Sequence, residues 1–144
     1  MTRIFKWLAI AVALFFLGFG LVRMGIGAAM FGFELGWWTL GGEFAEVLPE
    51  ARDFLAKHAG QAIFPWSTAF YFALIFAMGA VLASGAGEYL RGRRGSGLSL
   101  IALYLAMHGG MFLNYQLINP KIWLWAATVA AWIYLYWWHQ RHAE

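Results

Sequence analysis

The sequence predicts an all-α integral membrane protein: four transmembrane helices and an amphipathic surface helix in the first outer loop. Three observations carry this. Four apolar stretches, at about 4–22 (or 4–33), 67–85, 98–117 and 122–138, each approach bilayer length. A hydrocarbon core about 30 Å thick takes about 20 apolar helical residues. The 144 residues are 62% hydrophobic and only 12% charged, where a soluble domain carries about 25%. Most of the charges lie at the ends of the apolar stretches or between them. A single domain over 1–144 is expected, because the longest intervening stretch, 32–65, is too short for a core of its own.

The first helix follows Arg3 and Lys6. Basic residues ahead of an apolar run also begin signal peptides, but this run is long. Ala28-Ala29-Met30, the nearest match to a cleavage site, is embedded in further apolar sequence. We read the segment as an uncleaved first helix. It ends near Arg23, with an interfacial stretch after it, or it continues to residue 33 as one tilted helix. In the first case Arg23 snorkels to the outer head groups. In the second it is a polar intramembrane group paired with Glu34 or with a partner protein. Gly25 with Ala29, and Gly32 with Gly36, are small residues four apart, the spacing that lets helices approach closely in lipid.

The outer loop reads EFAEVLPEARDFLAKHA over 43–59. Phe44, Val47, Leu48, Ala51, Phe54, Leu55 and His58 recur at helical spacing, with acids and Lys57 between them. Pro49 suits a first turn better than an interior. A kink there, or a new helix over about 49–59 that stops at Gly60, is expected. Such a helix lies flat on the membrane, covers the bundle, or docks a partner.

In the second helix Ala69, Ala73 and Ala77 form a close-packing stripe, with Phe70, Phe72, Leu74 and Phe76 on the opposite side for lipid or a partner. Third in order is LSLIALYLAMHGGMFLNYQLINP, which places Tyr104, His108, Met111 and Tyr115 on one face, with Asn114 near its end. Polar groups at membrane depth must point into protein. His108 is expected to hydrogen-bond Tyr71 or Thr128, to ligate a haem or pigment, or to belong to a proton or quinone path. Met111, one turn on, is a second candidate cofactor contact, but it cannot reach the opposite face of a haem held by His108. Gly109 and Gly110 leave room for a close neighbour, and Asn119-Pro120 ends the helix. The fourth helix is crowded with Trp and Tyr, which suits a large apolar neighbour. His139 and His142 lie beyond it at a solvated end.

Topology follows from charge. Arg3, Lys6, Glu88, Arg91, Arg93, Arg94, Arg141 and Glu144 fall on one side of four crossings, six basic against two acidic residues. The other side holds five acids, Glu34, Glu43, Glu46, Glu50 and Asp53. The excess of basic residues places both termini in the cytoplasm, with Arg91, Arg93 and Arg94 the strongest anchor. Trp7, Trp37, Trp38, Trp66, Trp137 and Trp138 mark the two interfaces.

The chain has no cysteine, which removes disulfides, thiolate metal sites and cysteine nucleophiles. No acid–base or metal set gathers, so no enzyme is expected, and no extended basic face suggests nucleic acid. The expected function is an accessory or structural subunit of a larger complex in a bacterial inner membrane. Its partners would be the lipid bilayer, other membrane subunits and apolar cofactors. One alternative is a small homo-oligomeric transporter or channel with Tyr104, His108 and Asn114 lining the path. Another is a subunit that contacts haem, a pigment or quinone.

Overall fold

The computed structural model describes residues 2–116 and 121–143. Five α-helices account for most of them: α1 (Thr2–Glu34), α2 (Glu43–His58), α3 (Thr68–Leu90), α4 (Arg94–Tyr115) and α5 (Lys121–Arg141). A short 3-10 turn, Ala59–Gln61, follows α2, and no strand occurs among the described residues. Helices α1, α3 and α4 are each long and apolar enough to cross a membrane.

The first helix is one unbroken run of 33 residues. Gly25 and Gly27 do not interrupt it. The helix ends at Gly36, whose φ of +77° needs a residue without a Cβ. Beyond it Trp38 folds back, and its indole donates to the Ala29 carbonyl at 2.8 Å. The ring lies on Gly32, where a Cβ would collide with it. Gly32 is therefore a seat for an indole. Gly36 closes the helix, and Gly25 has open space around it.

The real helix contacts use other glycines. A Cβ on Gly20 would lie 2.6 Å from the Ala83 nitrogen and 2.9 Å from the Gly79 carbonyl. One on Gly79 would lie 2.6 Å from the Gly20 carbonyl. These two glycines let α1 and α3 touch backbone to backbone. Gly85 and Gly97 do the same for α3 and α4, with Cβ approaches of 3.0 and 2.6 Å to each other's carbonyls. The interface of α3 runs along Phe72, Met78, Leu82 and Ala86, all buried. The stripe Ala69, Ala73 and Ala77 is only half-buried, and Phe72, expected to face outward, lies inside at 2% exposure. A long side chain fits there because Met30 and Leu48 close over it.

Helix α5 is tied on by indoles. Trp125 Nε1 donates to the Leu105 carbonyl at 3.0 Å and Trp132 Nε1 to the Leu98 carbonyl at 2.9 Å. Tyr134 reaches across to the Phe5 carbonyl at 2.8 Å. Gly109 is packed under the Trp125 ring at a Cβ approach of 3.2 Å, whereas Gly110 meets nothing. Trp138 is buried and stacks on His142, with ring centroids 3.7 Å apart. It belongs to the core, unlike the exposed Trp7, Trp37 and Trp137.

Helix α2 starts earlier than expected and passes through Pro49 without ending. Glu43 and Glu46 in its first turn and Lys57 in its last suit the helix dipole. Leu48 and Leu55 face inward, and Arg52 binds Glu34 at 2.6 Å. Gly60 falls inside the 3-10 turn that follows. The stop at Asn119-Pro120 and the end of the third span at Leu117 lie outside the described residues.

Candidate functional site

Two of the four polar residues expected at membrane depth, Arg23 and His108, line one cavity of about 660 Å³ bounded by all five helices, whereas Tyr104 and Asn114 do not line it. Arg23, Tyr71, His108 and Tyr115 contribute to its lining, with Glu50 and Lys121. The apolar lining comes from Ile26, Phe72, Ile75, Met111, Phe112 and Leu124, while Val47, Ala51 and Phe54 bring in the inner side of α2. The volume lies within the ~300–1,000 Å³ usual for small-molecule sites, and so does the mixture of apolar walls and few polar groups.

Arg23 is the central group. Because α1 is continuous, its side chain is carried toward α4, not out past a helix end. Its guanidinium carbon lies 5.6 Å from the Phe19 ring centroid and 5.8 Å from that of Tyr104. These are cation–π distances. Arg23 Nε is buried with no hydrogen-bond partner among the described residues. The expected pairing with Glu34 does not form, since Arg52 occupies that carboxylate. The Nε is thus an unused donor beside the cavity.

His108 has neither expected partner. Its Nδ1 meets the Tyr104 hydroxyl at 3.4 Å, and its ring stacks on Phe112 with centroids 5.2 Å apart. Thr128 donates to the Trp125 carbonyl of its own helix, at 2.7 Å. Tyr104 is fully buried beneath the site. Met111 and His108 do line the same cavity, so the structure brings the two candidate cofactor contacts together.

Asn114 does something else. Its Oδ1 accepts from the Phe64 amide at 2.8 Å, and its Nδ2 donates to the Phe64 carbonyl at 2.9 Å. The Ile63 amide donates to the Asn114 carbonyl at 2.9 Å, and Gln61 Nε2 to that of Tyr115 at 2.8 Å. Tyr115 Oη accepts from the Trp66 amide at 3.2 Å, and its ring meets the Trp66 ring edge to face at 5.2 Å. The end of α4 thus holds the loop that leads from α2 to α3. Asn114 does not join Tyr104 and His108 in a row. Trp66 is part of this latch, as Trp38 is part of the α1 cap.

Glu50, Phe54 and Lys121 carried no site signal in the sequence, whereas Tyr115 fell on the expected face of the third helix. Glu50 and Phe54 read only as parts of a helical period, and what brings them to the cavity is the docking of α2, which pattern does not specify. No group of three or more metal-ligating side chains occurs among the described residues. Comparison with protein-family models, curated proteins and solved structures finds no match to the chain.

Proposed function

We propose that the protein is a small ligand-binding subunit of a bacterial inner membrane, with four spans and both termini in the cytoplasm. In this reading its outer cavity holds an apolar molecule with an oxygen-bearing head, of the quinone or lipid kind. Arg23 and His108 face the head, and the aromatic and aliphatic walls take the tail. Helix α2 is the amphipathic surface helix that covers the cavity. Helix α5 is the fourth span; its Trp and Tyr rings lower its mean hydropathy while keeping it compatible with lipid. The carrying observation is the convergence of Arg23, with its unpartnered Nε, and His108 on one mainly apolar cavity.

The orientation rests on charge. Lys6, Gly92, Arg94 and Trp138 meet at one end of the bundle, and α2 with its acids lies at the other. The basic end belongs in the cytoplasm.

A channel through the helix-three face fits the geometry less well. Tyr104 is closed off inside the core, and Asn114 is committed to the Phe64 backbone. Service as an accessory subunit of a larger assembly remains compatible with cavity binding. Its support is the outer face of α5, where Trp123 is 76% exposed and Ile133 and Tyr136 are also exposed.

The test is gentle extraction into nanodiscs, followed by solvent extraction and mass spectrometry of what the particle retains. A quinone or lipid held at fixed stoichiometry, and lost in Arg23→Gln and His108→Ala, supports the reading. A folded particle with the same small-molecule content in both variants refutes it. Partner chains in the same spectrum test the subunit role.

A further inference from the structure

A second cavity, of about 210 Å³, lies at the opposite end of the bundle, independent of the one beneath α2. It is lined by Lys6, Tyr89, Gly92, Arg94 and Trp138, with apolar residues of α1 and α3. Its size falls below the ~300 Å³ of ordinary small-molecule pockets, so it suits one head group or a small ion.

The charges around it are sorted. Glu88 takes Arg93 at 3.2 Å and Arg91 at 4.0 Å. Glu88 and Arg91 line a different cavity, between α1 and α3. Arg94 and Lys6 have neither a carboxylate nor a hydrogen-bond acceptor among the described residues, and no acid lines their cavity. Tyr89 is 5% exposed, and its hydroxyl has no hydrogen-bond partner among the described residues. Gly92, with φ +91°, makes the tight turn that sets Arg94 beside Tyr89, and it adds no side chain to the opening. Two cations and an unused hydroxyl form a donor set without acceptors. The complementary ligand is an anion with several acceptor oxygens.

We propose that this cavity is a binding site for a phosphate anion, carried by a lipid head group or present as free phosphate. Lys6 and Arg94 supply the charge, and Tyr89 supplies a neutral donor. Trp138 forms an apolar wall that keeps the ion pair from being fully solvated.

The full-length protein is reconstituted in phosphatidylcholine nanodiscs containing phosphatidylglycerol, and bound lipid is counted by native mass spectrometry. Phosphatidylglycerol should be retained over phosphatidylcholine. Retention should fall about tenfold or more in Lys6→Gln/Arg94→Gln, and by less than about threefold in Arg91→Gln/Arg93→Gln, which removes the same charge. Competition by millimolar inorganic phosphate would assign the site to free phosphate; insensitivity to it would assign the site to the lipid. Equal losses in the two double variants would overturn the proposal, as diffuse attraction predicts them. So would the absence of any selective retention of lipid or protection by phosphate. Tyr89→Phe keeps the ring and carries the test if the first double variant does not fold; an unchanged retention there overturns the role of the hydroxyl and with it the built site.

Discussion

Asn114 and Phe64 are joined by two antiparallel hydrogen bonds of 2.8 and 2.9 Å, the side-chain amide pairing with a backbone as a neighbouring strand would. This pair fixes the loop that connects the cavity's covering helix to α3. Asn114→Ala leaves the Phe64 N–H and carbonyl without these partners, and should destabilise by about 1–2 kcal/mol. Asn114→Asp keeps the acceptor, loses the donor, and should fall between. Thermal unfolding in detergent measures both, and hydrogen exchange at the Phe64 amide should rise in the alanine variant.

The glycine contacts make a paired prediction. Gly20→Val forces a side chain against the Ala83 nitrogen and the Gly79 carbonyl and should cost about 1–3 kcal/mol through displaced helices. Gly25→Ala meets open space and should be neutral or stabilising by up to about 1 kcal/mol through helix propensity. Equal effects in steric-trapping or denaturant titrations would contradict this division of roles.

Arg23 should show opposed effects on stability and binding. Its guanidinium is half-buried beside Phe19 and Tyr104 without a carboxylate partner. Arg23→Met removes the cost of holding that charge and should raise the stability of the ligand-free protein by about 1 kcal/mol. The same variant should retain no cavity ligand. A loss of both would assign Arg23 to the scaffold.

Glu34 and Arg52 are the charged link between α1 and α2. Arg52 is 53% exposed, so the pair is worth less than about 1 kcal/mol in global stability. Its effect should show locally. In the cysteine-free chain, Met111→Cys gives a single thiol inside the cavity. Adding Glu34→Gln should speed its labelling by about two- to fivefold, the factor that ~0.5–1 kcal/mol of α2 opening implies.

Helices near 67–85, 98–117 and 122–138 were legible from apolar runs alone; within the described residues the second runs on to Leu90, the third starts at Arg94 and the fourth runs on to Arg141. The second continues through Gly85 and Gly87 to Leu90, and Gly85 is where α4 packs closely against it. Between the two endings open for α1, the longer one holds, with the helix unbroken to Glu34. Spacing put His108 and Met111 on one face of the third helix, and both line the cavity, but it gave no link from either to Arg23. It misplaced Asn114, which is one turn beyond and rotated toward the loop. GxxxG-type spacing marks Gly32 and Gly36, whereas the close helix contacts within the chain fall at Gly20, Gly79, Gly85 and Gly97, which only tertiary geometry shows. Pro49 misled because proline's missing donor is tolerable on an exposed helix side, where water reaches the orphaned carbonyl.

The unbroken length of α1 has a bearing on the affinity that the proposed ligand would need. Thirty-three residues make a rod about 50 Å long, well beyond the ~30 Å of a hydrocarbon core. Arg23 stands about two-thirds of the way along that rod. A molecule dissolved in the bilayer meets the cavity at a supply set by its mole fraction among lipids, independent of its scarce concentration in water. Occupancy then follows abundance in the leaflet, by mass action. A site of modest intrinsic affinity would fill and empty as the membrane's own composition changes.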